Sequence, residues 1–176
     1  MTVALAKPRL VTRIRLRVPV LVAVAIGWLS LMVGVAIFAD VIRPYEITRM
    51  DLMARLAPMG TPGHWLGTDE LGRDVLSRLI QSIRVSLVIA FGATILSAVI
   101  GTTLGFLAAQ FRGWVENLVM AMADFQAALP FMIMALSVLA FFGSSMWLLV
   151  CLMGFYGWER YARIARGLAI SASAQG

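Results

Sequence analysis

Charge is nearly missing from most of this chain. Only 14% of its 176 residues are Asp, Glu, Lys or Arg, and three stretches, Val18 to Ala39, Val85 to Phe111 and Phe125 to Trp158, have none at all. A soluble domain of this length needs far more charged surface, so the ordinary globular classes are excluded. Cysteine and histidine are almost as scarce. The lone Cys151 cannot form an intrachain disulfide, and the lone His64 has no second His or Cys to complete a ligand set, so no metal site is expected and His64 reads as structural. A membrane enzyme would need a nucleophile, a base or metal ligands converging in a cleft. One His, one Cys and no paired carboxylates at depth supply nothing of the kind, and no catalytic residue is assigned. The sequence also lacks a Gly-x-x-x-x-Gly-Lys-Ser/Thr phosphate loop, so nucleotide has no site here and no cofactor is expected.

What remains is apolar: 61% of the residues fall in the set Ala, Val, Ile, Leu, Met, Phe, Trp, Tyr and Cys. Blocks of that length without charge read as membrane spans, and the fold class expected is an all-α polytopic membrane protein. The formal net charge of +6 would suit nucleic acid. The cations, however, cluster beside the ends of apolar blocks and form no basic face, so no nucleic-acid partner is expected.

Residues 1–19 form a basic tail with Lys7, Arg9, Arg13, Arg15 and Arg17 and no acid. Residues 20–39 then supply a first transmembrane helix of sufficient length. The positive-inside rule places the tail in the cytoplasm. A cleavable signal peptide is the competing reading, but the run is too long for one and Ile37 to Ala39 is a poor cleavage site.

Residues 40–83 are the one sizeable extramembrane stretch, an extracytoplasmic loop with an amphipathic helix. Val75, Leu76, Leu79, Ile80, Ile83 and Leu87 recur at helical spacing, and Thr68 with Asp69 and Glu70 makes a helix start. On that helix Asp69 would pair with Arg73, and Asp74 with Arg78, four residues apart. The helix is expected to lie at the interface and run into the second span, within 85–111, where Gly101 and Gly105 have the spacing that admits a close neighbouring helix. A third apolar run, about 118–142, contains Pro130, which should kink it or remove one ladder bond. Asp124 lies near the start of that run. A carboxylate at that depth faces protein, water or the headgroups, and the interfacial reading is preferred over a place on a substrate path. Met146 to Trp158 begins a fourth span, brief unless Tyr161, Ala162 and Ile164 extend it, and Arg160, Arg163 and Arg166 close it on the cytoplasmic side. The soft polar end at 171–176 has the pattern of a cut sequence.

The run from His64 to Ile80, with Gly67, Thr68, Asp69, Gly72, Arg73 and Asp74, resembles the segment ahead of the second span in C-type permeases of dipeptide, oligopeptide and nickel importers. The similarity continues through Arg84 to Leu87, Arg112 to Trp114, Asp124, Pro130 and Gly157 to Gly167. Such permeases have six spans, and their transport domain begins near the position of Arg84, so residues 84–176 would be a partial transmembrane domain, ending before the cytoplasmic EAA-type loop that docks on the ATPase. The resemblance implies a multi-pass subunit of a bacterial inner membrane. Its expected partners are a second permease subunit, two ATPase subunits that hydrolyse ATP, an extracytoplasmic solute-binding protein and membrane lipid. The motif around Gly67 to Asp74 is expected to brace the outer end of the second span. Small-residue faces such as Gly101 and Gly105 are expected to be covered by other helices, in support of a second permease. Two alternatives stay open: a non-transporting membrane fragment, and nickel in place of peptide.

Overall fold

The computed structural model describes residues 19–173. The basic tail therefore lies outside the described residues except for Pro19. Six helices follow in chain order: α1, Val20–Ile37; α2, Ala39–Ile42; α3, Val75–Phe111; α4, Trp114–Ala128; α5, Phe131–Phe142; and α6, Met146–Ser173. A short 3-10 turn, Leu52–Ala54, lies in the loop before α3. Among the described residues the only pairings of β type are two isolated bridges, Thr61 with His64 and Thr68 with Asp74. The all-helical class expected from the sequence is the class observed.

α3 and α6 form the centre of the bundle, and they run parallel. Gly92 faces Val150, Gly154 faces Leu96, Gly101 faces Trp158, and Gly105 faces Ala162 and Ala165, so residue numbers rise together along the contact. A Cβ at Gly101 or Gly105 would collide with the α6 backbone at Trp158 or Ala162, which is the close approach that only glycine allows. The helix packed on Gly101 and Gly105 thus belongs to this same chain, and these two glycines give no reason of their own to expect a second subunit.

α4 lies antiparallel to α6 and completes the core, where Ala108, Val119, Ala123, Trp158 and Ala162 are buried together. α1 packs against the first half of α3, with Val33, Ala36 and Ile37 beside Arg84, Leu87, Val88 and Phe91, and Asp40 just beyond it pairs with Arg84 of α3 and with Arg43.

Each helix end has a local cause. Arg112 (φ 37°) and Gly113 (φ 61°) are successive left-handed residues, and they turn the chain from α3 directly into α4. Pro130 has no backbone N–H and drives Leu129 into an extended conformation (φ −85°, ψ 130°). The apolar run expected to be a kinked span is therefore two helices, α4 and α5, bent by 86°. Gly143 (φ 77°) ends α5, and the Ser145 hydroxyl accepts the Leu148 N–H at the start of α6.

By length and composition, α1 and α3 are each able to cross a membrane, and the bent α4–α5 pair would make a third span if counted as one. Four spans were expected from the apolar blocks. The difference comes from the break at Pro130 and from α6, which is long enough at 28 residues but carries Glu159, Arg160, Arg163 and Arg166 along its second half.

Candidate transport elements

Two groups of residues stand out, one at the loop end of α3 and one between α4 and α6.

At the loop end the hub is Asp74. It is the N-cap of α3, and its carboxylate accepts the backbone N–H of Ser77 at 2.8 Å and the Ser77 hydroxyl at 2.7 Å. Its other oxygen lies 3.0 Å from Nδ1 of His64. Ser77 Oγ in turn accepts the backbone N–H of Tyr45, and the Tyr45 ring lies 5.1 Å from that of His64. One buried carboxylate thus ties both ends of the 45–74 loop to the first turn of α3. Burial pushes the Asp74 carboxyl up, but His64 and the two Ser77 donors outweigh it and hold it below its ordinary value.

The helix start expected at Thr68 to Glu70 is therefore six residues too early. Gly67 (φ 75°) and Gly72 (φ 70°) turn the chain back on itself there, and a Cβ at either would strike the backbone of Ala57 or Asp51. Asp69 sits inside this turn. Its carboxylate accepts the N–H groups of Leu71 and Arg73 at 2.9 Å each, the Arg73 guanidinium at 2.8 Å, and the Arg78 guanidinium. Burial raises the Asp69 carboxyl, and the Arg73 and Leu71 N–H groups with the Arg73 guanidinium overcome that effect and lower it to about 2.

The Asp69 to Arg73 pair expected from spacing thus exists, but within a turn. The pair expected between Asp74 and Arg78 does not form, because Arg78 is engaged by Asp69 and Asp74 by His64. Thr68 closes the turn: its hydroxyl accepts the Ala57 N–H at 2.9 Å and donates to the Ala54 carbonyl. No separate interfacial helix is present among the described residues. The segment from Val75 is the first part of the continuous 37-residue α3.

Between α4 and α6 the polar contacts form a ladder. Near the α3–α4 turn, Glu116 accepts Nε of Arg166 at 2.7 Å. One step along, Asp124 is largely exposed and lies 3.2 Å from Nη2 of Arg163, which also reaches within 2.8 Å of Glu159. Deepest is Gln126, which is buried. Its amide donates to the Phe155 and Tyr156 carbonyls at 2.9 and 2.7 Å, and its Oε1 accepts the Trp158 indole N–H at 2.7 Å.

The break itself is held from the same stretch of α6. The Tyr156 hydroxyl donates to the Leu129 carbonyl at 3.2 Å, and the Phe131 and Tyr156 rings lie 4.6 Å apart. Asp124 and Pro130, singled out from sequence, therefore flank a more deeply buried residue that sequence reasoning passed over. The signal was present, since Gln126 is a strongly polar side chain inside a charge-free block, where such groups require partners. Its partner Trp158 is distant in sequence and could not be read from it.

Comparison with known proteins points the same way. Residues 101–176 match the family described as binding-protein-dependent transport system inner membrane component. The glutathione transport system permease protein of Pectobacterium atrosepticum is 35% identical over 147 residues, covering 83% of this chain and 49% of the relative. The corresponding permease proteins of Escherichia coli and Shigella sonnei are each 33% identical over 137 residues, covering 78% of this chain and 45% of theirs. The chain spans about half the length of the curated relatives it matches. Over residues 101–176, on α3, α4, α5 and α6, this chain is thus similar to the inner membrane component of binding-protein-dependent transport systems.

Proposed function

We propose that this chain is a permease subunit of an ATP-driven importer and supplies part of the path by which peptides or related small solutes cross the inner membrane. The observation that carries the reading is the ladder between α4 and α6. An apolar chain collects Glu116, Asp124, Gln126, Glu159, Arg163 and Arg166 on facing sides of two helices, one of which breaks where the deepest of them sits. Polar groups within membrane helices face protein or a hydrated path, and broken helices mark the places where such paths are built.

The relatives' glutathione transport favours a small peptide over a nickel ion as solute. The partners that follow are a second permease subunit, two ATPase subunits that hydrolyse ATP in its place, an extracytoplasmic solute-binding protein and the surrounding lipid. The permease would itself be no enzyme. The parallel course of α3 and α6 brings Arg112 and the α6 arginines to one side, which the positive-inside rule makes cytoplasmic. The N-terminus then lies on that side too, with the 40–74 loop opposite.

The test is uptake. Membrane vesicles holding the full reading frame of this gene together with its neighbouring transporter subunits and binding protein are given labelled glutathione, dialanine or nickel, with and without ATP. ATP-dependent accumulation of a peptide, lost when the permease is deleted, is expected. Accumulation unaffected by that deletion would leave the chain as a non-transporting membrane component.

A further inference from the structure

The longest exposed surfaces of this chain are apolar, as a lipid-facing surface should be: Phe91, Ile95, Val99 and Phe106 on α3 are all more than half exposed. One groove departs from that pattern. Between α3 and α6 lies a cleft of about 520 Å³ whose lining includes Thr94, Ser97, Tyr156, Glu159, Arg160 and Tyr161, a volume in the range that holds small ligands. Its depth is set by α3. Thr94 stands about 14 Å along the helix from Val85, where the charge-free stretch begins, and so lies near the middle of a hydrocarbon core about 30 Å thick.

The charges in the groove are unequally engaged. Glu159 is mostly buried, and its Oε2 lies 2.8 Å from Arg163, off the line needed for a hydrogen bond. Arg160 is 83% exposed, its nearest carboxylate oxygen is 3.9 Å away on Glu159, and it makes no hydrogen bond among the described residues. Arg160 stands about 12 Å further along the bundle, toward the other α6 arginines, so the cleft joins an exposed threonine hydroxyl within the core to a free guanidinium near its cytoplasmic edge. They are suited to a hydrated surface that offers an anion to Arg160, whose planar fork matches a carboxylate.

We propose that the α3–α6 groove is a hydrated solute site in which Arg160 binds the terminal carboxylate of a small peptide. This deepens the importer reading and rests on it. Thr94 and Tyr161 offer hydroxyls along the same cleft to the peptide amides, while Glu159, held by Arg163, stays as a fixed negative charge beside the zwitterion.

The test uses the assembled transporter in native membranes, in a Cys151→Ala background because Cys151 is exposed. Thr94→Cys and, as the lipid-facing control, Val99→Cys are treated with a membrane-impermeant cationic thiol reagent. Thr94→Cys is expected to react faster than Val99→Cys and to be slowed by dialanine. In parallel, Arg160→Ala is expected to raise the KM for dialanine about ten-fold, the loss of one charge-assisted contact, with little change for dialanine amide. Arg160→Lys should recover part of that loss.

Equal KM effects on the acid and the amide would remove Arg160 as the carboxylate partner. An unreactive Thr94→Cys in a transporter that still imports peptide would show the groove sealed by protein or lipid and overturn the site, leaving the importer reading intact. A reactive Thr94→Cys with no peptide uptake by the wild-type assembly would instead remove the peptide ligand and the importer reading together.

Discussion

Two side chains hold parts of this molecule that the backbone alone leaves open. Asp69 is the first. Its folded pKa is depressed to about 2 from an ordinary 3.8, so its contribution to stability is complete above the unfolded value and disappears as pH falls through the folded one. Asp74, lowered in the same direction, adds to the effect. Thermal unfolding in detergent is therefore expected to be level from neutral pH down to about 5 and to weaken between there and about 2. Asp69→Asn should unfold earlier at neutral pH and show a shallower acid decline. Gln126 is the second. In Gln126→Leu the Phe155 and Tyr156 carbonyls keep their places within α6, but the buried Trp158 N–H loses its acceptor, a loss of about 1–3 kcal/mol. The double variant with Trp158→Phe should recover part of it, a coupling that a thermal-shift double-mutant cycle reads directly.

At the scale of elements, the α3–α6 contact depends on absent side chains. Gly101→Leu would drive a branched side chain into the backbone at Trp158, and a destabilisation of about 3 kcal/mol is expected, visible as loss of the folded species on size exclusion. Gly27→Leu on α1, which meets open space, should be silent. The helices themselves were legible. The charge-free blocks located α1, most of α3 and the start of α6, because apolar length is a local property. Boundaries set by turn geometry were less so. Thr68, Asp69 and Glu70 carry a helix-start composition, but Gly67 and Gly72 bend the chain there, and the cap falls to Asp74, whose partner Ser77 three residues on was the better signal. From sequence Pro130 implies a kink or one lost ladder bond and no more, because proline alone does not say how far a helix bends. The angle is fixed by Tyr156 and Gln126, whose contacts lie roughly 30 residues away in sequence. The glycine pair announced a close neighbour without saying which, and the neighbour proved to be α6.

For the whole molecule, the arrangement sets a stiff pair beside a jointed one. The return from α3 to α6 begins with α4, which with 15 residues rises only about 22 Å before the bend into α5, less than the roughly 30 Å of a hydrocarbon core. The corner at Leu129 and Pro130 therefore lies within the lipid layer, and its freed carbonyl relies on a single hydroxyl, that of Tyr156. α3, by contrast, has 37 residues and about 55 Å to spend across the same layer. A change of bilayer thickness consequently falls on the corner and hardly at all on α3. Melting temperatures measured across vesicles of increasing acyl-chain length should vary more for Tyr156→Phe than for the wild type, making that one phenol the gauge by which this protein registers the lipid it lives in.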